Sequence, residues 1–256
     1  MPPLPVLRAE RLIAAVRRGG SSLPLIVETS DGPYVVKLRG AAQGTAALVA
    51  EVVVAELAEG LDLPVPPRAV VRLDADFITA DRDAELADLL RFSHGLNLGF
   101  RFLDRALPLS VAQLAGLDEE FAARLLWLDG LVINVDRTAD NPNLLWWQRR
   151  AWLIDHGAAL PFQHDWAAVS EATPRRALPS SWVHLFQRHA HSAAAHDAAL
   201  ARRLSRAVLR QALARVPDDF LLPLLERSAS ADALRRRREA YVAFLWKRLK
   251  PPRPFV

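Results

Sequence analysis

The stretch Asn134-Val135-Asp136-Arg137-Thr138-Ala139-Asp140-Asn141-Pro142-Asn143-Leu144-Leu145 decides how this chain is read, and Trp152-Leu153-Ile154-Asp155-His156-Gly157 follows close behind it. Together they set an Asp, an Asn five residues later, and a second Asp at the end of a short apolar run. Phosphoryl transfer of the kinase kind calls for this set. One carboxylate receives a hydroxyl proton, and an amide and another carboxylate hold Mg²⁺. Asp136 takes the first role, Asn141 and Asp155 the second. Each alone has a plainer reading, because Asp and Asn are common in turns. The order of the elements carries the argument: helix, polar loop, hairpin, Asp-x-Gly.

The helix is read just upstream. Asp118 is placed to cap it, and Phe121, Leu125, Leu128 and Val132 recur at helical spacing. Downstream, Leu144–Gln148 and Ala151–Ile154 read as a short hairpin turning at Arg149-Arg150, which delivers Asp155 beside Gly157.

Further upstream, Leu23–Thr29 and Tyr34–Leu38 read as two arms of a hairpin around Ser30-Asp31-Gly32. Side chains alternate along a strand, so Val35 and Lys37 share one face while Tyr34, Val36 and Leu38 share the other. In the kinase reading Val35 lies against adenine and Lys37 reaches the α/β-phosphates. The plain reading is an exposed edge lysine. Gly19-Gly20-Ser21-Ser22, before the hairpin, is either a turn or a loop whose backbone N–H groups approach phosphates.

A helix capped by Thr45 and ended by Gly60 is apolar almost all round, which predicts burial. Its Glu51 and Glu56 stand roughly 140° apart at about 100° per residue, so they cannot both face Lys37. Glu51, deeper in the apolar body, is the expected partner. Leu63–Pro67 closes this unit and leads to an extended segment at Ala69–Leu73. Asp74–Arg91 is charged and reads as peripheral. Gly95–Leu103 reads as a strand entering a connector, where the backbone of Arg101, Phe102 and Leu103 would meet the adenine edge.

The 256 residues suit one domain or two closely packed lobes, and 51% apolar residues with seven Trp are enough for a large core. There is no Cys, which excludes disulfides, thiolate metal sites and a cysteine nucleophile. The Pro-rich start lacks a signal-peptide pattern, and no apolar run is long enough to span a membrane. A cytoplasmic protein is therefore expected. Net charge is +4. Basic residues gather late, at Arg235–Arg238 and Lys247–Lys250, either as a solvated helix face or as a surface for an acidic partner. His184, His189, His191 and His196 match no standard zinc spacing. Leu200–Val216 and Ala231–Leu249 read as amphipathic helices. Phe220, Tyr241, Phe244 and Trp246 read as core.

The residues quoted from Tyr34–Arg39, Gln43–Pro66, Gly95–Gly99, Asn134–Leu145 and Leu153–Leu160 resemble HipA-family kinases of a compact, single-domain kind. The catalytic loop and the Ile-Asp-x-Gly-x-Ala stretch are also similar to type II phosphatidylinositol 4-kinases. The resemblance implies Asp136 as catalytic carboxylate, Asn141 and Asp155 as Mg²⁺ ligands, Lys37 on the ATP phosphates and Glu51 as its helix partner. The chain departs from the family's usual pattern in carrying Thr138 where a His is typical. It also lacks a Gly-x-Gly-x-x-Gly loop and an Ala-Pro-Glu segment.

The expectation is therefore an α+β protein of the bilobal protein-kinase-like fold. A small antiparallel-sheet lobe with one buried helix would occupy 1–104, and a mainly helical lobe 105–256. Its activity would be ATP- and Mg²⁺-dependent transfer to a hydroxyl-bearing acceptor, most simply of Ser/Thr type. A nucleotide-binding pseudokinase scaffold, a lipid or small-molecule kinase, and a nucleic-acid-binding protein are the alternatives.

Overall fold

The computed structural model describes residues 2–16, 23–41, 43–77, 83–225 and 230–256, with Val111 by its backbone only. The first part of the chain is built from strands β1 (Val6–Ala15), β2 (Leu25–Thr29) and β3 (Gly32–Lys37), then helix α1 (Gly44–Gly60) and strand β4 (Arg68–Leu73). Helix α2 (Ala84–Phe92) and strand β5 (Gly95–Arg101) complete it. The strands close into a barrel in the order β1-β2-β3-β5-β4. Four of the strand pairs are antiparallel, as expected. The fifth is not: Val6–Arg8 of β1 run parallel to Val70–Arg72 of β4 and shut the barrel. A closing pair between strands so far apart leaves no local turn signal, and closure removes the exposed edges.

The β3 alternation is as predicted. Tyr34, Val36 and Leu38 are buried in the barrel core with Leu25, Val27 and Val71. Gly99 on β5 is there because a Cβ would lie 2.6 Å from Val71 Cγ2. The charged stretch 74–91 is not merely peripheral. Asp83 accepts hydrogen bonds from the Glu85 and Leu86 N–H groups and starts α2, whose Leu86 and Leu90 pack onto the barrel core.

Helix α1 is buried on nearly every side. Thr45 does not cap it. The N-cap is Gln43, without a side-chain bond, and the Thr45 hydroxyl is buried without a partner. Gly60 is the helix's last residue, and Leu61 closes the turn.

The second part begins with strand β6 (Leu107–Pro108), helices α3 (Val111–Ala115) and α4 (Glu119–Val132), and strands β7 (Leu144–Trp147) and β8 (Arg150–Leu153). Asp118 caps α4 by accepting from the Phe121 N–H, and the apolar run behind it is buried. The β7–β8 turn is Gln148-Arg149, both at positive φ, one residue before the position read from sequence. Helices α5 (Ala190–Arg203), α6 (Arg206–Ala214), α7 (Asp218–Leu221) and α8 (Ala231–Arg248) complete the chain. The single helix expected over 200–216 is thus two, broken at Leu204 where Ser205 caps α6 through the Val208 N–H. One large core joins α1 to α4, α6, α7 and α8 and includes Phe220, Tyr241 and Phe244; Trp246 packs at its margin. Among the described residues no helix is long and apolar enough to cross a membrane.

Candidate active site

A cleft of about 430 Å³ lies where the barrel meets the β7–β8 hairpin. Ile26 and Val35 line it from the barrel, Leu144 and Ile154 from the hairpin, and Phe100–Leu103 from the connector. Lys37, Asn141 and Asp155 also line it. The connector residues named from sequence are therefore at the cleft. Arg101, however, turns its guanidinium aside to Asp31 Oδ2 (2.7 Å) and lies against the Tyr34 ring. The Phe102 N–H is engaged by Pro33 O at 3.0 Å. Gly19, Gly20, Ser21 and Ser22, the turn or phosphate loop expected from sequence, lie outside the described residues.

Lys37 is the hub. Strand alternation sends it into the cleft, where its ammonium donates to Glu51 Oε1 and, at 2.6 Å, to Asp155 Oδ1. Glu51 Oε1 also accepts from the His156 N–H at 2.9 Å. Glu51 is fully buried, whereas nearly half of the Asp155 side chain is exposed. Burial opposes the Lys37 charge, but the two carboxylates hold its pKa above the ordinary lysine value. Burial also opposes ionisation of Asp155, and Lys37 nevertheless holds it below the usual carboxylate range. Asp155 has φ +59°, a left-handed conformation that Asp tolerates better than most residues.

Asp136 sits on the loop after α4. Its Oδ2 accepts from Asn141 Nδ2 (2.8 Å) and Asn143 Nδ2 (3.1 Å). Asn141 Nδ2 also donates to the Asp136 carbonyl at 3.3 Å, and among the described residues the Asn141 Oδ1 and the Asp136 Oδ1 carry no protein hydrogen bond. The residues that shape this loop were not legible from sequence. Asp129, in the last turns of α4, is fully buried. It accepts from Asn134 Nδ2 (2.9 Å), Arg137 Nε (2.7 Å) and His184 Nε2 (2.9 Å). His184 Nδ1 accepts from the Phe186 N–H, which leaves the ring proton on Nε2. Arg137 also donates to the Pro142 and Asn143 carbonyls. An arginine next to Asp136 in sequence could contact phosphate or anchor the loop. Its side chain is 0% exposed, and its partners make it the anchor. A lone Asp inside the apolar run Leu125–Val132 was the available signal for Asp129; spacing gave none for His184.

His156 lies beneath Asp155, fully buried. Burial and the nearby Arg137 guanidinium push its pKa down to about 3. Its Nδ1 faces Arg137 Nη2 at 3.4 Å, and its Nε2 has no partner. An unfolded His titrates near 6.5. Above that pH both states are neutral and the stability is fully present. As pH falls from about 6.5 toward 3, only the unfolded state takes the proton, and stability is lost at up to about 1.4 kcal/mol per pH unit. Urea unfolding of the metal-free protein between pH 6.5 and 5 is expected to show a loss of about 1.6 kcal/mol from this residue. His156→Gln, which keeps an acceptor for Arg137, should flatten the dependence by about one proton.

Among the described residues no group of three or more His, Cys, Asp or Glu could hold a metal. His184, His189, His191 and His196 therefore form no such site. Most of the late basic residues have partners within the chain. Arg235 pairs with Asp232, Arg237 lies over Trp166, Arg238 pairs with Asp218, Lys247 pairs with Glu171, and Arg248 is buried on carbonyls.

A strand barrel with a lysine on its cleft-facing side, a buried helix glutamate bonded to it, and an Asp-x-Gly beyond a polar loop define a kinase-like protein of mixed α and β structure. The chain belongs to the HipA-like kinase family, whose sequence pattern matches residues 11–239, and it is accordingly a kinase. Its fold is similar to that of the crystal structure of the Helicobacter pylori proinflammatory kinase CtkA. The TM-score is 0.59 at 10% identity, over 96% of this chain and 98% of that one. No curated protein matches the chain by sequence.

Proposed function

We propose that this chain transfers the γ-phosphate of ATP, with Mg²⁺, to a hydroxyl acceptor of Ser/Thr type. The observation that carries this reading is Lys37 held between Glu51 and Asp155 in a cleft that Asn141 also lines. In it the barrel with α1 is the smaller lobe, ending near residue 104, and the helical remainder the larger. Adenine would lie against Val35, with its polar edge toward the backbone of the 101–103 connector.

The residues present fit a magnesium ion. The Asp155 carboxylate is half-exposed, and the Asn141 amide has its N–H group turned to Asp136 and its oxygen free. Mg²⁺ commonly takes one or two protein oxygens and completes its shell with phosphates and water. The absence of a larger acidic cluster among the described residues is compatible with that. Bound Mg²⁺ would neutralise charge on the β- and γ-phosphates. Lys37 would donate to phosphate oxygens while Glu51 keeps its ammonium in place. Asp136, steadied through Oδ2, would offer Oδ1 to the acceptor hydroxyl, orient it and receive its proton.

The test is thermal unfolding with ATP, with and without Mg²⁺, on wild type and Asp155→Ala. Ligand at about 100 times its Kd should stabilise the protein by roughly 2.7 kcal/mol. The expected result is a Mg²⁺-dependent shift that the variant loses. A folded wild type that shows no shift would overturn the nucleotide reading, and a shift without any phosphate transfer to hydroxyl peptides would overturn the Ser/Thr-type acceptor and leave a scaffold or a kinase of lipids or small molecules.

A further inference from the structure

Helix α1 carries a second buried carboxylate that the phosphoryl-transfer site does not use. Glu56 lies about a turn and a half beyond Glu51 and well round the helix from it. Its side chain is 5% exposed. Arg68 at the start of β4, itself 2% exposed, donates to Glu56 Oε1 at 2.5 Å and to both oxygens of Glu59 at 3.0 and 2.6 Å. Arg215, at the end of α6, reaches Glu56 from the other side at 3.2 Å. One carboxylate on α1 is thus tied both to the barrel and to the helical part of the molecule.

This helix needs such a tie. Its surroundings are apolar on nearly every side, so burial alone specifies its rotation weakly. Its N-terminal end has no side-chain cap. Yet Glu51 must point in one direction to meet both Lys37 and the His156 N–H. Directional bonds from two separate elements fix what apolar packing leaves free, the use for which buried ionic groups are best attested.

We propose that Arg68 and Arg215, acting through Glu56, are positioning residues that set the rotation of α1 and so hold Glu51 against Lys37 and the His156 amide. The proposal rests on the phosphotransferase reading for its kinetic consequence, not for its structural one. A loosened α1 leaves the cleft and its apolar walls in place, so nucleotide still binds. Lys37 is then held less well where charge develops, and the loss falls on kcat.

The experiment uses the full chain with Arg215→Met, Arg215→Lys and Glu56→Gln, and with Arg203→Ala as a control that removes an exposed pair to Asp62. Amide hydrogen exchange reads the His156 N–H, which reports directly on Glu51. In Arg215→Met and Glu56→Gln its protection should fall about tenfold or more, while amides in the middle of α1 stay within about threefold of wild type. Mg²⁺-ATP turnover should fall about tenfold in kcat with KM changed less than about threefold. Arg215→Lys should recover part of both losses, and Arg203→Ala should match wild type. Unchanged His156 protection in folded variants overturns the proposal, and so does a uniform loss of protection across all amides. A wild type without nucleotide turnover would sink the phosphotransferase reading, and the exchange measurement would still decide the clamp.

Discussion

Replacing Asp136 by Asn is expected to cut phosphate transfer by about 10²- to 10⁴-fold, the range general-base residues contribute, while ATP binding stays within a few-fold of wild type. The geometry gives the reason. The Asn141 and Asn143 side-chain amides both donate to Asp136 Oδ2. An introduced amide can keep those two bonds only by putting its oxygen in that position. Its NH₂ then takes the place of Oδ1, and a donor stands where the acceptor hydroxyl needs an acceptor. The opposite orientation sets three NH₂ groups against one another and would disturb the loop. Fold and nucleotide cleft are retained in the first case, since Asp136 is not among the residues lining the cleft. The check is paired: ATP-dependent stabilisation by thermal unfolding, and label from γ-phosphate recovered in peptide or protein hydroxyls. Transfer at the wild-type rate would remove Asp136 from the role.

Local physics made part of this legible in the sequence. The Asp118 cap, the buried α4, the β7–β8 hairpin and the alternation of Val35 and Lys37 against Tyr34 and Val36 are each settled by neighbours a few residues apart. Helix geometry said that Glu51 and Glu56 could not share a partner, depth in the apolar run chose Glu51, and the structure uses the two carboxylates in different places. What was not legible depends on distant partners. The parallel pair of β1 with β4 joins residues more than sixty apart. Leu86 and Leu90 lie in a stretch dominated by charge, and only a barrel core to cover makes it a helix. The break at Leu204 was readable in principle, because Ser205 is a good N-cap, but the apolar spacing on either side runs on through it. Thr45 looked like a cap by type and is instead enclosed.

Asp129→Ala is expected to cost about 3–5 kcal/mol of folding stability, the range for removing one partner of a buried ion pair. That is a large part of the roughly 5–15 kcal/mol a domain of this kind has. The Asp129 carboxylate receives Asn134, Arg137 and His184 from three directions, with no solvent to replace it. Burial opposes its charge, but Arg137 and His184 hold its pKa below the ordinary carboxylate value. Removal leaves a guanidinium buried with only carbonyls and a neutral ring for company. Even Asp129→Asn should be costly. Its oxygen is needed by Arg137 and His184, so its NH₂ meets the Asn134 NH₂. Asn134 could turn over to accept, but its oxygen already accepts from the Asp136 N–H at 3.3 Å. The mismatch is therefore passed to Asp136, the proposed catalytic carboxylate. Arg137→Leu combined with Asp129→Ala should lose clearly less than the sum of the two singles, because the pair is removed together. Urea unfolding of the four proteins measures the coupling. Strict additivity would mean that the buried pair does not hold the loop.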